Sequence, residues 1–307
     1  MQEKVWKIDK ETGLLKLRSG VVVAFFLPAP IDSVVTQIRS ALEDYLKRLP
    51  PDVLRWSSVG AGSEEWRAVN KNTFRRCFDQ LDAEAARKRS LTYFELRDGE
   101  QAGDAPGYGV LVLGNRVDPD FPNERGVVQF HYPSDVLEPD LLESFVADMV
   151  SMAETLPFIS GYASPALFCA SPEAWREARA TVKRYPGYDL QDNSNGCSEI
   201  ADRVRGARWL TFLGPELVKE LGGPVKVRRS LPEPITVTPV GHGLMVRTSI
   251  APDLFDVSRN PDISSMKALA ELLEPVTLFD EGAIYCTEFA GQDDDLLRHW
   301  ERRFLDI

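Results

Sequence analysis

The sequence predicts an α+β fold, a largely antiparallel sheet packed against helices that cover one face. Apolar strand-like runs and amphipathic helical runs mix without strict βα alternation, and hairpin signals are present, which argues against a parallel α/β sheet. With 307 residues, 43% of them hydrophobic, the chain can also bury a large core.

The elements follow in order. "GVVVAFFLPAP" (20–30) is a buried-type strand ended by prolines, and 31–51 has helical periodicity until Pro50-Pro51 stops it. A second helix is expected over 72–90, then strands over 91–98, 108–116 and 126–133. A helix starting near Pro139 presents Leu141, Leu142, Phe145, Met149 and Met152 as an apolar face. Strand 158–169 precedes helix 171–187, whose start is signed by Ser171 and Pro172. A hairpin over 234–250 turns at Gly241-His242-Gly243, and 264–278 reads as a helix followed by a strand. An amphipathic helix over 293–306 closes the chain, with Arg302 and Arg303 near the negative end of its dipole. The halves have similar element content, so the single unit 1–307 is compatible with two lobes, 1–187 and 188–307, meeting in the polar stretch 188–199.

Net charge is −11 and unevenly spread. Residues 95–154 hold thirteen Asp/Glu against three Arg and no Lys, whereas 1–94 sums to +4. The acidity sits in this middle block and in a C-terminal block, 231–307, at −8. It disfavours direct nucleic-acid binding, which needs clustered Lys/Arg, and either suits a protein partner with a basic surface or simply keeps the chain soluble. No run is long and apolar enough for a membrane span, and the charged N-terminus lacks a signal-peptide core, so a cytoplasmic location is expected.

Catalytic motifs are not found. Cys77, Cys169, Cys197 and Cys286 form no C-x-x-C pair, and His131, His242 and His299 are too dispersed for a local metal site. Ser264-Ser265-Met266-Lys267 matches S-x-x-K, but its companion elements are missing and Ser264 sits where a helix cap belongs. No catalytic residue, metal or cofactor is assigned.

"ARWLTFLGPELVKELGG" (207–223) reads as strand, turn and short helix. Pro215 suits the first helical position, Glu216 would repel an anion there, and Gly222-Gly223 form a left-handed stop. The stretch also resembles the W-L-T-F-L-G…L-G-G signature of bacterial type VI secretion immunity proteins. "RYPGYDL" (184–190) is similar to that family's Arg-x-Pro-Gly-x-Asp segment, and 243–276 to its downstream block, with Phe255-Asp256 where the family pattern has Gly-Asp. "FFLPAP" and the helix after it suit the N-terminal part, so the likeness spans roughly residues 20–280.

The resemblance implies a non-enzymatic protein that neutralises a cognate toxin, often one with a restriction-endonuclease-like nuclease domain, by binding it in the producer's cytoplasm. It carries no contact residues over. The charge pattern instead points to two loops of the acidic block, through Glu100, Asp104, Asp118, Asp120 and Glu124, with Asp293, Asp294 and Asp295 as a second option. Two other readings stay open: an effector chaperone or adaptor, and a hydrolase using carboxylates whose pairing sequence does not give.

Overall fold

The structure is a computed structural model that describes residues 5–28, 30–60, 65–89, 91–115, 120, 123–190, 200–278 and 300–306. At its centre lies β2 (Leu15–Leu27), buried at every position from Ser19 onward. It pairs antiparallel with β7 (Gly126–Pro133) on one side and β8 (Ser160–Cys169) on the other. From β7 the sheet continues through β6 (Gly109–Asn115), β5 (Leu91–Arg97) and β3 (Trp56–Val59) to β4 (Arg67–Ala68). From β8 it continues through β10 (Leu210–Leu213) and β12 (Gly243–Arg247) to β11 (Thr236–Val240). Strand β1 (Trp6–Ile8) adds to β2, and β9 (Asp189–Leu190) joins β8 as the parallel pair of this otherwise antiparallel, 12-stranded sheet. The predicted hairpin is β11–β12, turning at Gly241-His242. The sheet runs unbroken from strands before residue 187 to strands after it, through the β8–β10 ladder.

Helices cover both faces, not the one expected. Side chains alternate across a strand, so Val21, Val23, Phe25 and Leu27 of β2 enter one core while Val22, Ala24 and Phe26 enter another. The first core is closed by α1 (Val35–Arg48) and α4 (Pro139–Thr155), through Ile38, Leu42 and Tyr45 and through Leu142, Phe145, Met149 and Met152. On the opposite face α6 (Pro215–Glu220), α7 (Pro224–Ser230) and α8 (Ser264–Leu273) pack on Leu213, Leu244 and Val246. Leu210, Phe212 and Met245 of the same strands point back into the first core. There Phe212 packs on Phe25 with ring centroids 5.0 Å apart. Helix α5 (Pro172–Arg184) starts on the cap read from sequence, the Ser171 hydroxyl accepting from the Ala174 N–H at 3.3 Å.

Three local expectations are corrected. The helix over 72–90 is two, α2 (Thr73–Gln80) and α3 (Ala83–Lys88), because the Asp82 carboxylate accepts from the Ala85 N–H and starts a new helix. The strand after α8 is a 3-10 turn, Glu274–Val276, followed by a single bridge from Thr277 to Val204. Ser264 is the first residue of α8 and not its cap; Ile263 holds the cap position without a side-chain bond, and the Asp262 carboxylate before it accepts from the Ser264 N–H at 2.9 Å. Of the closing segment, 300–306 is described, as a 3-10 turn and the one-turn α9 (Arg303–Asp306).

Candidate interaction surface

The acidic loops chosen from sequence do not share a surface. Strands β5, β6 and β7 are consecutive and antiparallel. The loop after β5, with Glu100 and Asp104, therefore lies at one end of the sheet, and the β6–β7 connection, with Asp120 and Glu124, at the other. The seven residues of β6 separate them, roughly 20 Å at the rise of an extended strand. Glu100 is well exposed and its carboxylate is 2.6 Å from Arg55 Nη1. Asp104 is only 5% exposed, and its two oxygens accept from the Leu15 and Gln101 N–H groups. It holds its loop against β2 and offers no carboxylate to a partner. Asp120 is exposed and Glu124 half-buried. Asp118 and Asp293, Asp294 and Asp295 lie outside the described residues.

Among the described residues Cys77 and His131 are buried, Cys169 is partly buried and His242 is exposed at the hairpin turn, while Cys197, Cys286 and His299 lie outside them. Burial pushes the Cys77 thiol up to about 12 and the Cys169 thiol further still. His131 is fully buried in β7, and burial, with a smaller contribution from Arg97, lowers its pKa to about 3. Its Nε2 lies 2.5 Å from the Gln129 amide nitrogen. Among the described residues no three His, Cys, Asp or Glu side chains are grouped so as to hold a metal ion, and no helix is long and apolar enough to cross a membrane.

The stretches that carried the family resemblance converge on a buried ionic cluster. Arg208 Nη2 lies 3.1 Å from Asp189 Oδ1 and 2.7 Å from Glu301 Oε2, and Arg205 Nη2 lies 3.1 Å from Glu301 Oε1. Arg303, read from sequence as a dipole partner near the chain end, is 1% exposed and donates to the Pro186 carbonyl at 2.8 Å. Burial alone would raise the pKa of Asp189, but the Arg208, Arg205 and Arg303 guanidiniums and the Tyr162 hydroxyl more than offset it and hold the carboxyl at about 2. Arg184 grips Asp256 through two hydrogen bonds, at 3.0 and 2.8 Å. Gly187 and Gly214 sit where a Cβ would collide with the Asp253 and Ile159 carbonyls. Gly222 and Gly223 adopt φ of 92° and 93°, the left-handed stop read from sequence. Each of these motif residues does a scaffold's job. Phe255 stands where the family pattern has glycine, with φ at 58°, and its ring packs on Phe304 with centroids 5.7 Å apart.

The family is decided by comparison. The sequence model of TsiV, the type VI immunity family for VRR-NUC, matches residues 37–304. The chain belongs to this family. No curated protein sequence matches it. The TsiV chain shares its fold with a solved structure, the Pseudomonas aeruginosa T6SS protein PA0821, with a TM-score of 0.77 at 17% identity. That match covers 99% of this chain and 88% of the other.

Sequence reasoning passed over one exposed region of this TsiV chain, around the start of α4. At 100° per residue, Asp140, Glu143, Ser144 and Ala147 fall on one helix face, and all four are exposed. Leu141, read as part of the apolar core face, is 51% exposed on its flank. On the other side Glu143 pairs with Arg247 at 2.7 Å, and Arg247 Nη2 also donates to the carbonyl of Ile250, a residue 78% exposed. Below this layer the Phe145 and Trp209 rings stack, with centroids 6.3 Å apart. The spacing of Asp140, Glu143, Ser144 and Ala147 was legible in the sequence as an outward helical face, and 126–175 contains seven Asp/Glu and no Lys or Arg.

Proposed function

We propose that this TsiV-family protein confers immunity by binding its cognate VRR-NUC toxin directly, covering the active site or the path of the nucleic acid to it, in the cytoplasm of the producing cell and without catalysis of its own. The family match over residues 37–304 carries the reading. The acidic surface supports it. A nuclease draws nucleic acid with positive field, and an inhibitor presenting carboxylates competes for that field.

Co-expression tests it. The toxin alone should stop growth, and the pair should grow and yield a complex with the isolated VRR-NUC domain. Capture of only those toxin fragments that lack the VRR-NUC domain would replace this reading with a delivery adaptor. Rescue without any complex, together with chemical change in the toxin, would replace it with an enzyme.

A further inference from the structure

We propose that the toxin-binding surface is the outward face of α4 over its first two turns together with the adjacent turn at Ile250, with Leu141 and Ile250 as its apolar anchors and a basic, nucleic-acid-facing surface of the VRR-NUC domain as its occupant. The inference rests on the direct-binding reading above and adds to it the place of contact.

Six large hydrophobic side chains among the described residues are exposed: Trp6, Ile8, Leu141, Val225, Ile250 and Val257. Leu141 lies on one flank of the outward face of α4, and the Glu143–Arg247 ion pair, with Ile250 beside it, lies on the other. The ridge between them presents Ser144 and Ala147, small enough for close approach of another backbone. Exposed apolar anchors around a short-side-chain centre with a polar rim are the anatomy of a protein-binding patch. The charge of the rim selects the occupant. Glu138, Asp140 and Glu143 are exposed here, Arg247 is committed to Glu143 and to the Ser249 and Ile250 carbonyls, and farther along α4 Asp148 pairs with Arg48. The other exposed apolar pair, Trp6 and Ile8 on β1, has the wrong rim. Lys7 lies between them, Lys16 sits beside it on the same carboxylate, Glu177, and the Arg18 guanidinium covers the Trp6 ring at 4.9 Å. The α4 surface also lies at the same end of the sheet as Glu100, because α4 follows the end of β7 at which the β5–β6 loop sits.

The test uses the full chain and a catalytically inactivated cognate VRR-NUC domain, with affinity measured by calorimetry. Leu141→Arg and Ile250→Arg should each weaken binding at least a hundredfold while leaving the melting temperature within a few degrees. The pair Asp120→Asn and Glu124→Gln, at the far end of the sheet, should stay within threefold of the unaltered chain. Hydrogen exchange on the unaltered complex should protect 138–147 and 248–252. Binding of the unaltered chain with both Arg variants within threefold, or with protection confined elsewhere, overturns this surface and leaves direct binding standing. Failure of the unaltered chain to bind the domain overturns direct binding and this surface with it.

Discussion

His131 couples the stability of this fold to pH. Its pKa falls from 6.5 in the unfolded chain to about 3 in the fold, because burial disfavours the charged ring. The folded value is the lower one, so between those limits the unfolded chain binds the extra proton. The stabilising contribution is complete above about pH 6.5 and is lost as pH falls toward 3, at about 1.4 kcal/mol per pH unit. Urea unfolding at stepped pH should show this slope, and His131→Gln should flatten it between about pH 4 and 6. At this scale sequence reading succeeded where a residue's role is set by its immediate neighbours, as with Ser171 at the start of α5 or Gly222 and Gly223 at the end of α6. It failed where a distant segment decides. Asp104 is taken up by the N–H of Leu15, and Arg303 by the carbonyl of Pro186. No local pattern encodes either contact. Phe255 lies between these cases. The family pattern marked its position as one for glycine, and its positive φ gives the reason. The contact with Phe304 that accompanies the larger residue was not legible.

Among the elements, the Asp189–Arg208–Glu301–Arg205 cluster fastens the chain's last described segment to the sheet. Asp189 lies on β9, Arg205 and Arg208 lead into β10, and Glu301 comes from the closing 3-10 turn. Replacing a buried ion pair with apolar residues is often neutral, but removing one partner strands the other charge in low dielectric. Asp189→Asn should therefore cost about 3–5 kcal/mol, read by chemical denaturation. Because three guanidiniums hold its pKa below the unfolded value, the part of this contribution that depends on the charge of Asp189 is present at neutral pH and is lost as pH falls from about 3.8 to about 2. The long strands and helices were predicted from periodicity, but the short β1, β3, β4, β9 and α7 were not, and breaks within elements were missed. The division of 72–90 at Asp82 depends on one side chain choosing to cap rather than continue a helix. The covering of both sheet faces was missed because β10 and β12 are apolar on either side, Leu210 and Phe212 against Leu213, and Met245 against Leu244 and Val246. A run apolar on both sides says that a strand is sandwiched, not which helices do it.

For the whole molecule, the net charge of −11 is unevenly spread: residues 95–154, which include most of α4, and the C-terminal residues 231–307 are both strongly acidic, while the first third of the chain is net positive. Association with the VRR-NUC domain should therefore slow as salt rises, by about tenfold or more between roughly 0.05 and 0.5 M, with dissociation changing far less. Stopped-flow rates at several salt concentrations check this, and a salt-independent association rate would rule out electrostatic steering. The central place of β2 carries a different consequence, one of timing. Leu27 pairs with Gly126 and Leu17 with Cys169, so the most apolar strand is made early and the two strands that flank its length, β7 and β8, roughly a hundred to a hundred and fifty residues later. At about 5–20 residues per second of synthesis, the nascent chain carries "VVVAFFL" without either ladder for several seconds at least. A newly made copy thus keeps its most apolar strand without its flanking ladders until β8 has been synthesised, and whatever protection the protein gives at any instant comes from copies already folded.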